Sequence, residues 1–133
     1  MKKTIVLKLS IEQAAAVQQA TELLMRLGLG QFDYVADLMD LGKITKKNST
    51  PIDWVAISDC RDRLKSISQI SGCCDLGIGN KNLHKDIPRS YEIHNLLAKA
   101  LSSIEATKGA ECRAKLSWRP CGDEPAPVVS LID

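Results

Sequence analysis

The stretch TIVLKLSIEQAAAVQQATELLMRLGLG, Thr4 to Gly30, changes its hydrophobic period once, at Ser10. Before that point Ile5, Leu7 and Leu9 alternate with Thr4, Val6 and Lys8, and the run opens with β-branched residues. Alternation of period two predicts a strand over Thr4–Leu9, with one face better buried than the other. After Ser10 the period lengthens. Ile11, Ala14, Ala15, Val17, Ala20, Leu23, Leu24 and Leu27 form the stripe of an amphipathic helix running from Ile11 to about Leu27. Ser10-Ile11-Glu12-Gln13 matches a capping box, in which the Ser10 hydroxyl accepts the Gln13 amide and the Gln13 side chain reaches back to the Ser10 amide. Gly28 suits the left-handed position just past the helix, and Gly30 permits a second bend.

Gln31 to Leu41 reads as a short second helix, with Phe32, Val35, Ala36 and Met39 inward and Asp33, Asp37 and Asp40 outward, stopped by Gly42. Lys43 to Thr50 is a polar, basic loop. Thr50-Pro51-Ile52-Asp53 predicts a helix start: a capping Thr, Pro at the first helical position and an acid in the first turn. This third helix should run to about Ser68 on a face of Trp54, Ile57, Cys60 or Arg61, Leu64 and Ile67. Ser71 to Asp86, with three glycines, two asparagines and the Cys73-Cys74 pair, is the longest irregular stretch. Such loops in compact domains are often functional. Ile87-Pro88 opens a fourth helix to about Thr107, with Tyr91, His94, Leu97, Ala98, Leu101 and Ile104 on one face. Cys112, Ala114, Leu116 and Trp118 alternate with Arg113, Lys115, Ser117 and Arg119, which predicts a strand with one basic face. Val128, Val129, Leu131 and Ile132 form a last short strand. The expected fold class is α+β: four helices packed on a small, mainly antiparallel three-stranded sheet in the order β-α-α-α-α-β-β.

The 133 residues fit one domain, 1–133, large enough to fold without a metal or disulfide. A net charge of +2 is too mild to argue for nucleic acid or a membrane surface. Met1-Lys2-Lys3 and the apolar residues after it imitate a signal peptide, but Lys8, Ser10, Glu12 and Gln13 interrupt the apolar region it needs. The five cysteines are odd in number and follow no secretory signal, so reduced thiols in the cytoplasm are expected.

Local chemistry is sparse. Gly28 and Gly30 before a helix suggest an anion-binding corner, yet they lack the spacing and the lysine of a phosphate loop. A helix-turn-helix over Ile11–Leu41 would present Asp33, Asp37 and Asp40 to phosphate, which makes DNA recognition by this element unfavourable. Five cysteines with His84 and His94 lack zinc spacing, so no metal and no cofactor are expected. His94 with Cys60, Cys73 or Cys74 as nucleophile would make a small enzyme, but nothing in the sequence places them together. Arg113, Lys115 and Arg119, with Lys43, Lys46 and Lys47, form a basic face that suits either a nucleic acid or plain solvation.

Two segments, Leu9–Leu38 with its Arg-Leu-Gly-x-Gly-Gln-Phe corner and Pro88–Leu101 with Tyr-x-Ile-His, resemble a group of small accessory proteins of tailed phages and prophages. The resemblance covers about a third of the chain. It implies a non-enzymatic protein that acts by binding, most often in counter-defence. Such a protein would inhibit a host defence protein or sequester a signalling nucleotide, in the host cytoplasm and as a homo-oligomer. For a nucleotide, the resemblance points to Arg26, Gln31, Arg89, Tyr91 and His94, whose polar heads, rings and guanidinium planes suit a base and a phosphate. Gly28, Gly30 and Phe32 complete the set of expected ligand-binding residues. The Gly-Gln-Phe corner and the Tyr-x-Ile-His turn would have to meet in space. A nucleic-acid-binding regulator using the basic hairpin face is the alternative reading, and an enzyme with a Cys/His site the third.

Overall fold

A computed structural model describes residues 5–44, 51–68 and 76–107. Four helices order the described chain: α1 Ile11–Gly28, α2 Tyr34–Asp40, α3 Trp54–Ile67 and α4 Asp86–Thr107. No strand occurs among the described residues, so the expected α+β architecture is corrected to a helical one. The two later strands, Cys112–Arg119 and Val128–Ile132, and the basic face on the first of them lie outside the described residues. Ile5 to Leu9 does lie within them, and no backbone hydrogen bond joins it to another described residue. Alternation is a property of one segment, whereas a strand exists only where a second edge supplies its hydrogen bonds.

The start of α1 follows its local chemistry. The Ser10 hydroxyl accepts the Gln13 amide at 3.2 Å, and the Gln13 side chain accepts the Ser10 amide at 2.9 Å. At its end the left-handed position falls two residues beyond the expected Gly28. Gly28 is still helical, Leu29 is the cap, and Gly30 takes the left-handed conformation at φ 85°. The Gly30 amide then reaches the Leu27 carbonyl (3.0 Å) and the Gln31 amide reaches Arg26 (2.9 Å), the paired bonds of a Schellman motif. The same pair closes α2, where Gly42 at φ 68° bonds back to Met39 and Lys43 to Leu38.

Gly28 has a different duty. A Cβ there would overlap Cδ1 and Cγ1 of Ile87, so the missing side chain lets α1 and α4 approach. That pair of helices makes the main packing of the described fold, with α2 against α1. Met25, Leu29 and Ile87 are its buried centre, and Leu76, Ile78, Leu83 and Tyr91 pack around them. Three of those residues belong to the stretch expected to be an irregular loop. The Leu76 amide bonds the Leu29 carbonyl at 2.9 Å, and an Asn80 turn follows, so 76–86 is a built connection seated on the core. Ser71 to Asp75, with Cys73 and Cys74, lies outside the described residues.

Helix α3 departs further. Its cap is Asp53, whose carboxylate accepts the Val55 and Ala56 amides at 3.1 and 3.0 Å. Thr50 is outside the described residues. The expected inward face is reversed in part: Trp54, Leu64 and Ile67 are exposed, while Lys65 is buried. Helix α4 begins at Asp86, one residue before the expected start. It buries polar side chains too: Ser90, Glu92 and Asn95. The Asn95 amide nitrogen is buried without a hydrogen-bond partner among the described residues. Among the described residues no helix is long and apolar enough to cross a membrane.

Candidate functional site

Helix α1 is apolar along most of its length, yet Gln18, Gln19, Glu22 and Arg26 interrupt it at spacings of one, three and four residues. Those spacings bring side chains together on adjacent turns. In the fold this polar set is half-buried. It faces α2 on one side and α4 on the other, and the side chains of the two partner helices complete it.

Glu22 is the hub. Its Oε1 accepts from Arg26 Nη2 at 3.1 Å and from Nε at 3.3 Å. Its Oε2 lies 3.9 Å from His94 Nδ1 on α4. Arg26 turns its remaining edge to Gln31, donating from Nη1 to Oε1 at 2.8 Å. Its guanidinium also lies 5.0 Å from the ring centroid of Tyr34, a cation–π distance. Gln19 donates to the Tyr34 hydroxyl at 2.7 Å, and Gln18 Nε2 sits 2.9 Å from His94 Nδ1. The same Nδ1 lies 3.4 Å from the Gln18 carbonyl, so Gln18 presents it with both a donor and an acceptor.

Burial pushes the Tyr34 phenol above its ordinary value, and the Glu22 carboxylate beside it adds to the rise; the Gln19 bond and Arg26 work against it. The folded state therefore holds this proton to higher pH than the unfolded chain. The stability that comes from Tyr34 is complete below the ordinary phenol value near pH ~10 and is lost as pH rises through the folded value. Tyr34→Phe should be less stable than the parent near neutrality, and the gap should close above about pH 10. Denaturant titrations of both chains at several alkaline pH values check this; a gap that widens with pH contradicts it.

The Schellman turn after α1 places Gln31 and α2 so that a cavity of about 280 Å³ forms beside Arg26, lined by Arg26, Gln31, Asp33, Tyr34 and Asp37. Its charge is lopsided. The one cation is held by Glu22 and Gln31. Asp33 is 4.0 Å from Arg61 and makes no side-chain capping bond to α2, and Asp37 is exposed with no ion-pair partner among the described residues.

The expected ligand residues separate into three groups. Arg26 and Gln31 meet directly, and His94 joins them through Glu22. Gly28 and Gly30 serve packing and the turn. Phe32 is half-buried and does not line the cavity. Tyr91 packs on the Met25–Leu29–Ile87 centre, and Arg89 pairs with Asp86 at 3.2 Å. The Tyr-x-Ile-His turn thus meets α1 at Gln18 and Glu22, and its link to Gln31 of the corner runs through Glu22 and Arg26. Gln18, Gln19, Glu22, Asp33, Tyr34 and Asp37 were absent from the expected set. The i, i+4, i+8 series Gln18, Glu22, Arg26 in an otherwise apolar helix was the signal available for the first of them.

The chain matches no family model, no curated protein and no solved structure.

Chemical capacity follows from geometry alone. No three of His, Cys, Asp and Glu gather as metal ligands would among the described residues. Cys60 is exposed on α3, whereas the contacts of His94 run from α4 to Gln18 and Glu22 of α1. The cluster offers a hydrogen-bonded polar wall beside a small cavity with two carboxylates.

Proposed function

We propose a non-enzymatic binding protein of the phage accessory kind, which acts in counter-defence by docking on a host defence protein. The resemblance of Leu9–Leu38 and Pro88–Leu101 to phage accessory proteins supports the counter-defence role. One observation supports a protein partner over a nucleotide: Arg26 is engaged by Glu22, Gln31 and Tyr34, while the cavity it lines carries Asp33 and Asp37. A phosphate entering there meets two carboxylates and a guanidinium already in use. A Lys or Arg side chain of a partner meets complementary charge. The pre-paired wall keeps its shape without ordering cost on binding. A host-cytoplasmic location and homo-oligomeric state belong to the same reading.

Plating of phage on cells that carry defined defence systems tests it. Expression of the chain should raise plating at least tenfold against one such system, and the Asp33→Lys, Asp37→Lys double variant should lose that rescue while remaining folded. Absence of rescue across the panel, or a nucleotide released from the purified protein on denaturation, overturns the protein-docking reading.

A further inference from the structure

Within the docking reading of the acidic cavity, on which this rests, we propose that Arg61 of α3 is a built-in competitor for the partner's cation at Asp33. Helix α3 thereby sets how strongly the cavity binds.

Arg61 is held in place by its own helix. Its Nε donates to Asp62 Oδ1 at 3.0 Å and its Nη2 to Ser58 Oγ at 2.9 Å. With those two edges occupied, Nη1 faces Asp33 Oδ2 at the head of α2, 4.0 Å away. Fixing a long side chain in one geometry costs rotamer entropy, and the two neighbours on α3 lower that cost for the contact with Asp33. The contact also lies on the side of α3 turned to the protein. Ile57, Ser58, Arg61 and Lys65 recur at helical spacing as its less exposed face, whereas Trp54, Val55, Leu64 and Ile67 are exposed.

Asp33 is the matching half. It stands at the N-cap of α2 yet makes no side-chain capping bond, so its carboxylate is not committed to the helix. Asp33 and Asp37 line the cavity and Arg61 does not. Arg61 therefore leaves the space open and lowers the negative potential inside it. The pair is long, and its two side chains are 33% and 50% exposed. Solvent keeps such a pair weak, so an arriving guanidinium can take its place. The contact attenuates binding without blocking it, by about two- to fivefold, the size of one exposed ion pair.

NMR titration of the full chain at low salt with an acetylated, amidated Gly-Arg-Gly peptide reads this through the backbone amides of residues 33–37. Arg61→Gln should bind the peptide about two- to fivefold tighter than the parent. That variant also unpairs Asp62, so the comparison is repeated in an Asp33→Asn background, where the gain should vanish. Arg63→Gln removes the same charge from an exposed position on α3 and should bind as the parent does. No gain in Arg61→Gln, an equal gain in Arg63→Gln, or a gain that survives Asp33→Asn overturns the competition and leaves the docking reading standing. If none of the chains binds the peptide, the acidic cavity is no cation site, and the docking reading falls together with the competition.

Discussion

Gly28→Ala should destabilise the protein by about 1–3 kcal/mol, although alanine is the better helix former by about 1 kcal/mol. The two effects have opposite sign and different origin. Propensity acts on α1 alone, and at a helical position such as Gly28 it favours alanine. Packing acts between helices, where the added Cβ would occupy the space of Ile87 Cδ1 and Cγ1. Ile87 is buried in the Met25–Leu29–Ile87 centre and held by residues of the 76–86 connection, so it has little room to yield. The packing term wins. Ile87→Ala alone should cost about 2–5 kcal/mol for the cavity it leaves. The double variant should be more stable than the sum of the two losses, because the new methyl group fills part of that cavity. Urea denaturation of the four chains of this cycle gives the coupling. An additive double variant, or a Gly28→Ala chain more stable than the parent, would show that the helices do not meet at Gly28.

The two glycines of the corner illustrate what a sequence can and cannot assign. A capping box is local: Ser10 and Gln13 carry both halves of the bond, so the start of α1 could be read from four residues. Its end could not. Gly28 and Gly30 look alike as stop signals, and only the position of Ile87, 59 residues beyond Gly28, decides which one must lack a side chain for packing. The strand reading of Ile5–Leu9 failed for a related reason, since its pattern contains no information about where the second edge is. In α3, Thr50-Pro51 looked like the cap, but Asp53 nearer the first turn supplies the carboxylate that takes two amides. The buried Lys65 and exposed Ile67 of that helix run against their hydropathy, and periodicity cannot recover such a reversal.

The site was half readable. Arg26 and Gln31 stand in one short motif and do bond to each other. Glu22 was overlooked because a polar stripe on an apolar helix ordinarily faces solvent. Here α2 and α4 bring Tyr34 and His94 to that stripe, so the polar face is an internal contact. Some of the apolar face, Leu24 included, remains exposed.

Glu22→Ala should therefore act well beyond a surface ion-pair deletion, with a loss of about 2 kcal/mol against the roughly 0.2–1 kcal/mol of an exposed pair. The Glu22 and His94 side chains are 16% and 15% exposed, so the hub is largely shielded from water. At 38% exposure Arg26 is more open, and solvent softens the penalty for leaving it unpaired. Glu22→Gln should lose about half as much, since it keeps an acceptor oxygen in place but not the charge. Denaturant titration of the two variants separates charge from shape. A second consequence concerns the cavity. With Glu22 gone, two donors of Arg26 are released beside Gln31, and the guanidinium becomes available to an anion despite Asp33 and Asp37. Inorganic phosphate should then stabilise Glu22→Ala in thermal melts and leave the parent unmoved. Stabilisation of the parent to the same extent would mean that Arg26 is free in the native site, and the case for a basic protein partner would give way to one for a phosphate-bearing ligand.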